Sequence, residues 1–265
     1  MHGYWYSVKE HFDFSRQELK ELIWTSLAFA FVLTAHYGQL FQFVDGDARI
    51  VISSTFLGMF ILLLLAVLFS MYFHVALQKL VGIRLGYKVT YSYWLNGILL
   101  GLFISILTFA KLPIISVFIL PGAVKLEHIP KLRLGKFRYG LNAKDIARVS
   151  LAGPVSHIIL TTILGVFFFA TDKSTAIIII IKANLLLLMY SMLPIPKIDF
   201  PTKMDSASDG LGLFFYNRTV YLLCAVTALF YVVLVWLAST FSFTLAFFLA
   251  VVSLGLYSVA MKQPT

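Results

Sequence analysis

Residues 70–90, which read SMYFHVALQKLVGIRLGYKVT, decide how this chain is organised. The stretch ends a long apolar run, and within it His74 and Gln78 are four residues apart. In an α-helix that spacing places both side chains on one face. A histidine inside a membrane helix indicates function, because burying it without partners is costly. The simpler interpretation is a histidine bonded to the carbonyl of a neighbouring helix.

The composition of the chain predicts a membrane protein. Of the 265 residues, 60% are hydrophobic and 12% are charged, whereas ordinary soluble domains carry about 25% charged residues. Several uncharged runs approach or exceed the roughly 20 residues that cross a bilayer as a helix. The net charge of +9 is then explained by membrane orientation and anionic lipid headgroups, and nucleic acid is not an expected partner.

We predict an all-α polytopic membrane protein with about six transmembrane helices, forming a single membrane domain over residues 1–265. Its parts are, in chain order, a first span (21–42), a second span that carries His74 (51–83), a connecting segment (84–145), two core spans (146–215) and two closing spans (216–265). With a cytoplasmic amino terminus, the predicted outside loops hold only Arg49 and Lys173 of the 21 basic residues. The positive-inside rule therefore places both termini in the cytoplasm.

The connecting segment begins with a change of period. Tyr87, Val89 and Tyr91 alternate with polar residues, which predicts a half-exposed strand and hence a small interfacial β element. An unpaired edge of such a strand could capture an extended peptide.

The apolar run 97–120 is interrupted at Lys111 and Pro113. Each half is too short to cross alone, so we expect a re-entrant or interfacial hairpin. A basic segment over 122–148 follows it, and we expect this segment to face anionic lipid headgroups.

Three segments together resemble the site-two protease family of intramembrane zinc metalloproteases. That family has HExxH, a strand, GPxxN and then NxxPxPxLDG. Here the corresponding segments read HVALQ (74–78), GPVSH (153–157) and SMLPIPKIDF (191–200), and the resemblance covers about residues 60–215. It implies a substrate groove at Tyr87, Val89, Tyr91, Gly153, Pro154, His157, Pro194 and Pro196.

The aspartate ligand of the family has two candidate counterparts. Asp199 matches by its distance from Pro194 and Pro196, and this distance favours it. Asp209 keeps the glycine that follows the family's aspartate, and it would match if about ten residues were inserted.

The chain departs from the family pattern at positions that the family uses for zinc binding and for hydrolysis. The resemblance places the catalytic positions at His74, Val75 and Gln78. Valine at position 75 removes the glutamate that would take a proton from metal-bound water, a role worth about 10²–10⁴-fold in rate. Glutamine at position 78 replaces a histidine ligand with a neutral amide, which is a poor ligand for zinc. We therefore expect no zinc cofactor and no hydrolysis, and the protein is predicted to bind a membrane protein or a transmembrane peptide.

Two alternatives remain from the sequence. His157 stands where the family has asparagine, so His74, His157 and one aspartate could form a rearranged zinc site in an active protease. The apolar segments broken at Lys111-Pro113 and Pro194-x-Pro196 are also typical of discontinuous transporter helices, which would make the chain a small transporter or channel.

Overall fold

The structure is a computed structural model that describes residues 4–37, 41–44, 47–50, 54–108, 122–129, 141–199, 203–237 and 239–260. Its helices are α1 (Tyr4–His11), α2 (Arg16–Tyr37), α3 (Ser54–Leu85), α4 (Leu95–Leu107), α5 (Ala143–Ala170), α6 (Thr175–Met192), α7 (Asp209–Tyr216), α8 (Arg218–Trp236) and α9 (Thr240–Ala260).

Five of the described helices, α3, α5, α6, α8 and α9, are long and apolar enough to cross a membrane. The predicted first span corresponds to α2, which is 22 residues long but begins with charged residues and is not among the five. Two of its acids, Glu18 and Glu21, are buried. The prediction of a membrane protein built from apolar helices is thus supported, with one fewer clear crossing than the sequence suggests.

The described residues form six strands, which are arranged in two antiparallel sheets. The strands are β1 (Phe41–Val44), β2 (Asp47–Ile50), β3 (Tyr87–Ser92), β4 (Ala123–His128), β5 (Pro196–Asp199) and β6 (Lys203–Ala207). The first two pair with each other, and the others form a sheet in the order β3-β4-β6-β5. β3 lies where the alternation of Tyr87, Val89 and Tyr91 predicts a strand. β4 lies within the basic segment, for which the sequence pattern predicts no strand.

The helix α4 is 13 residues long, about 20 Å, and therefore cannot cross a bilayer by itself. The continuation of the predicted hairpin through Lys111 and Pro113 lies outside the described residues, as does the basic stretch 130–140. The re-entrant hairpin and the basic lipid-facing surface consequently stay predictions.

Two large apolar clusters make up most of the described interior. One joins α2, α3, β3, α4 and α6, and the other joins α5, α6, α7, α8 and α9. Because α6 contributes to both clusters, it is the central helix of the fold. Polar side chains of α3, α5, α6 and α7 meet beside it, and they form the candidate site described below.

The outer edge of β3 is occupied by side chains of α2. The backbone N–H of Tyr91 donates to Glu18 Oε1 at 2.8 Å, and that of Tyr93 donates to Glu21 Oε2 at 3.0 Å. The side chain of Tyr91 also points inward: its hydroxyl accepts from the backbone N–H of Gly122, and burial raises its pKa. An extended peptide would have to displace these carboxylates to pair with this part of the β3 edge.

Replacing Glu21 with alanine should expose the backbone amide of Tyr93. Because that amide would lose its carboxylate acceptor, we expect its hydrogen exchange to quicken by at least about tenfold, which corresponds to roughly 1.4 kcal/mol of local protection. Exchange measured by mass spectrometry in detergent micelles tests this. Glu127→Ala on β4 is the control, since Glu127 is exposed; equal exchange in the two variants would contradict the prediction.

Candidate functional site

His74 and Gln78 lie on one buried face of α3, as their spacing predicts, and both contact the same residue. His74 Nε2 is 3.1 Å from Asp209 Oδ2, and Gln78 Nε2 donates to Asp209 Oδ1 at 2.7 Å. Asp209 is the first residue of α7, where the helix dipole stabilises a carboxylate. Both of its oxygens are therefore engaged by α3. The neighbouring Val75 packs instead in the apolar cluster between α2, α3 and α6.

His157 on α5 holds His74 from the other side of the imidazole ring. His157 Nε2 is 3.0 Å from His74 Nδ1. Its own Nδ1 is 2.8 Å from Asn184 Oδ1 and 3.2 Å from Ser70 Oγ, and the Ser70 hydroxyl also donates to Asn184 Oδ1. The result is a buried chain of contacts that runs from α6 through α5 and α3 to α7.

The orientation of the Asn184 amide sets the direction of this chain. Its Nδ2 donates to the backbone carbonyl of His157 at 2.8 Å and to Thr161 Oγ1 at 2.6 Å, so its Oδ1 accepts from His157 Nδ1–H. A neutral His157 then accepts at Nε2 from His74 Nδ1–H. The remaining nitrogen of His74, Nε2, faces the Asp209 carboxylate.

Two glycines allow α5 to approach these side chains closely. A Cβ atom at Gly153 would lie 2.4 Å from Asp209 Oδ2 and 2.4 Å from His74 Cε1. In α7, a Cβ atom at Gly212 would lie 2.3 Å from Ser150 Oγ on α5. All three distances are shorter than real Cβ contacts, so a larger residue at either position would force the neighbouring side chains to shift.

A small cavity adjoins the cluster on the side of the sheet. Its volume is about 20 Å³, and it is lined by His74, Gln78, Tyr91, Ser191 and Asp209 among others. Gln78 Oε1 is buried here without a hydrogen-bond partner. A space of this size holds about one water molecule, which would satisfy the amide oxygen.

The arrangement has consequences for metal binding. Asp209 and His157 contact opposite nitrogens of the His74 ring, so the three side chains do not converge on one point. Over the part of the chain that is described, no group of three or more histidine, cysteine, aspartate or glutamate side chains is placed to hold a metal ion. His74 Nε2 and Asp209 Oδ2 are the two atoms that could ligate a metal together. Gln78, at the position of a third ligand, instead donates a hydrogen bond to Asp209.

The other predicted site residues are distributed around this cluster. Tyr87 and Val89 are buried with Tyr91, and of these three only Tyr91 lines the cavity beside His74. Pro154 lines a separate cavity towards α8 and α9. Pro194 lies between α6 and β5, and Pro196 is the first residue of β5. The side chain of Asp199 lies outside the described residues, so Asp209 is the one of the two aspartates for which a contact is described.

Ser70 and Asn184 were missed by sequence reasoning. Each is an uncharged polar residue within an apolar helix, and each is buried. Polar residues in membrane helices usually face the interior of the bundle, so their position in apolar runs was the available signal.

Comparison of the chain with models of protein families, with curated proteins and with solved structures found no match.

Proposed function

We propose that this chain is a catalytically inactive membrane protein with a site-two-protease-like core, and that it binds a membrane protein or a transmembrane peptide. The observation that supports this most is the contact of His74 and Gln78 with Asp209. By the resemblance, His74 and Gln78 match positions at which the family holds its metal, and Asp209 is one of the two candidate counterparts of its aspartate. Here they bond to one another, and the glutamine is a hydrogen-bond donor rather than a ligand.

The chemistry needed for hydrolysis is missing from these positions. A zinc peptidase needs three protein ligands, an open position for water and a base for the proton of that water. Val75 offers no base, and the sequence between Asp47 and Glu127 holds no carboxylate. Asp209 cannot readily act as the base, because both of its oxygens are already engaged.

The distribution of basic residues also suggests how the protein is oriented in the membrane. We infer that both termini lie in the cytoplasm and that the basic segment between α4 and α5 faces anionic lipid, on the charge distribution described above. A binding role needs only a stable scaffold with an accessible surface, and the buried polar cluster contributes to such a scaffold by holding α3, α5, α6 and α7 together.

Gln78→His should restore metal binding. The substitution places a second imidazole beside Asp209 and four residues from His74, which completes a three-ligand set. We expect purified Gln78→His protein to carry roughly one zinc ion per chain and the unaltered protein to carry little. Metal analysis by mass spectrometry after gel filtration measures this. Val75→Glu added to Gln78→His would then supply the base, and cleavage of a membrane substrate by that double variant becomes the second readout.

The control is Gln78→His combined with Asp209→Asn, which keeps both imidazoles but weakens the third ligand and should lose the zinc. One tightly held zinc per chain in the unaltered protein would contradict the proposal. It would favour the alternative of an active protease with a rearranged site, in which His74→Ala and His157→Ala each abolish cleavage. Substrate-dependent flux in proteoliposomes would instead favour a transporter.

A further inference from the structure

A large apolar groove that shares no lining residue with the cavity beside His74 lies between α2, α3 and α4. Its volume is about 690 Å³, and almost all of the surface around it is apolar. One wall is formed by Trp24, Leu27 and Phe31 of α2, and the other by Ile98, Leu102 and Ile106 of α4. Binding sites for small molecules usually measure about 300–1,000 Å³, so the groove is of a size that accepts a molecule.

The length of the groove matches one leaflet of a bilayer. The wall residues of α4 extend from Leu95 to Ile106, and a helix rises 1.5 Å per residue, so the groove is about 16 Å long. The hydrocarbon core of a bilayer is about 30 Å thick, and one leaflet is therefore about 15 Å. An acyl chain fits this length, whereas a partner helix that crosses the membrane would be supported over only half of its span.

One end of the groove is basic. Arg16, Lys20 and Trp24 follow one another at intervals of four residues on α2, so they share the face that continues into the groove. All three are exposed, Trp24 by 63%. The acids of the same turns, Glu18 and Glu21, are buried and bonded to β3. The exposed charges on these turns of α2, those of Arg16 and Lys20, are consequently positive, and the Trp24 indole lies between them and the apolar wall.

We propose that this groove binds one acyl chain of an anionic phospholipid, with the phosphate at Lys20 and Arg16. The order of cation, aromatic ring and apolar wall along α2 matches the order of headgroup, interface and hydrocarbon in a lipid. This site is separate from the His74 cluster and does not depend on the function proposed for it.

The test is native mass spectrometry of the purified full-length protein, titrated in detergent with phosphatidylglycerol or with phosphatidylcholine of the same acyl chains. We expect one phosphatidylglycerol to be retained per chain in preference to phosphatidylcholine. Lys20→Gln should lower the affinity for phosphatidylglycerol roughly fivefold and leave phosphatidylcholine unchanged, because it removes one charge near the membrane surface. Leu102→Trp should fill the groove and weaken binding of both lipids.

The matched control is Phe103→Trp, which adds bulk to the neighbouring residue of α4; Phe103 is 62% exposed and is not a wall residue. It should bind both lipids as the unaltered protein does. Equal retention of the two lipids, together with no effect of Leu102→Trp, would mean that only non-specific surrounding lipid is bound, and it would overturn the proposal. Release of a co-purified membrane polypeptide by Leu102→Trp would assign the groove to a partner helix and overturn it as well. Lys20→Gln changes an exposed residue and therefore tests the site even if Leu102→Trp fails to fold.

Discussion

Lys79→Met is expected to destabilise the protein by about 3–5 kcal/mol, because it leaves the charge of Glu18 buried without its cation. Lys79 is 2% exposed. Its ammonium group donates to Glu18 Oε1 at 2.9 Å and to the backbone carbonyl of Asp13 at 2.8 Å, and it lies 4.6 Å from the centre of the Phe14 ring. Methionine keeps the approximate length and the apolar stem of the side chain. The loss of stability therefore measures the effect of removing the positive charge. Equilibrium unfolding in mixed detergent micelles measures the change.

The chain offers a matched control for this pair. Lys88 lies 3.9 Å from Asp13, and both side chains are exposed to solvent by more than two fifths. Since exposed pairs contribute about 0–1 kcal/mol, Lys88→Met should change the free energy of unfolding by less than about 1 kcal/mol. Adding Glu18→Gln to Lys79→Met removes the unpaired charge and should recover roughly half of the lost stability. If Lys79→Met is as stable as Lys88→Met, the buried ion pair between Lys79 and Glu18 does not stabilise the contact between α2 and α3.

Gly153→Ala is expected to destabilise the protein by about 1–3 kcal/mol, the range seen when a packed interior receives an extra carbon. The added methyl group would overlap both Asp209 Oδ2 and the His74 ring, so either α5 shifts away from α3 and α7 or the contact between His74 and Asp209 breaks. Unfolding in mixed micelles gives the free energy, and the shift of the His74 ring signals in NMR spectra reports the broken contact.

Gly58→Ala on α3 is the corresponding control. A Cβ atom at Gly58 meets nothing within 4 Å, so alanine should stabilise that helix by up to about 1 kcal/mol, since glycine is the poorer helix former. Opposite signs for the two glycine substitutions are the expected result. A neutral Gly153→Ala with unchanged histidine signals would show that α5 does not approach α3 as closely as described.

These two predictions concern the contacts that bring α2, α3, α5 and α7 together. Lys79 and Glu18 attach α2 to the end of α3 and, through the N–H of Tyr91, to β3. Because Gly153 has no Cβ, the side chains of His74 and Asp209 can both pack against α5 at this position. Because these elements hold both the polar cluster and the edge of β3, loss of either contact should also disturb the other.

The apolar runs of the sequence were sufficient to predict the long apolar helices. Apolar runs of about 20 residues predict membrane helices wherever they occur, and the structure has such helices at Ser54–Leu85, Ala143–Ala170, Thr175–Met192 and Arg218–Trp236. The alternation at Tyr87, Val89 and Tyr91 likewise predicts β3. These features depend on neighbouring residues and on backbone geometry, which a sequence displays directly.

The sequence by itself therefore determined where the helices long and apolar enough to cross a membrane lie, and it placed His74 and Gln78 on one helical face. Only the tertiary structure decided which partners that face meets, namely Asp209, 131 residues from Gln78, and His157 with Asn184 behind it. It also decided that carboxylates of α2 occupy the edge of β3. The physical reason is that such partners depend on how closely helices approach, and the approach rests on features such as the missing Cβ of Gly153, which no periodicity along the chain reveals.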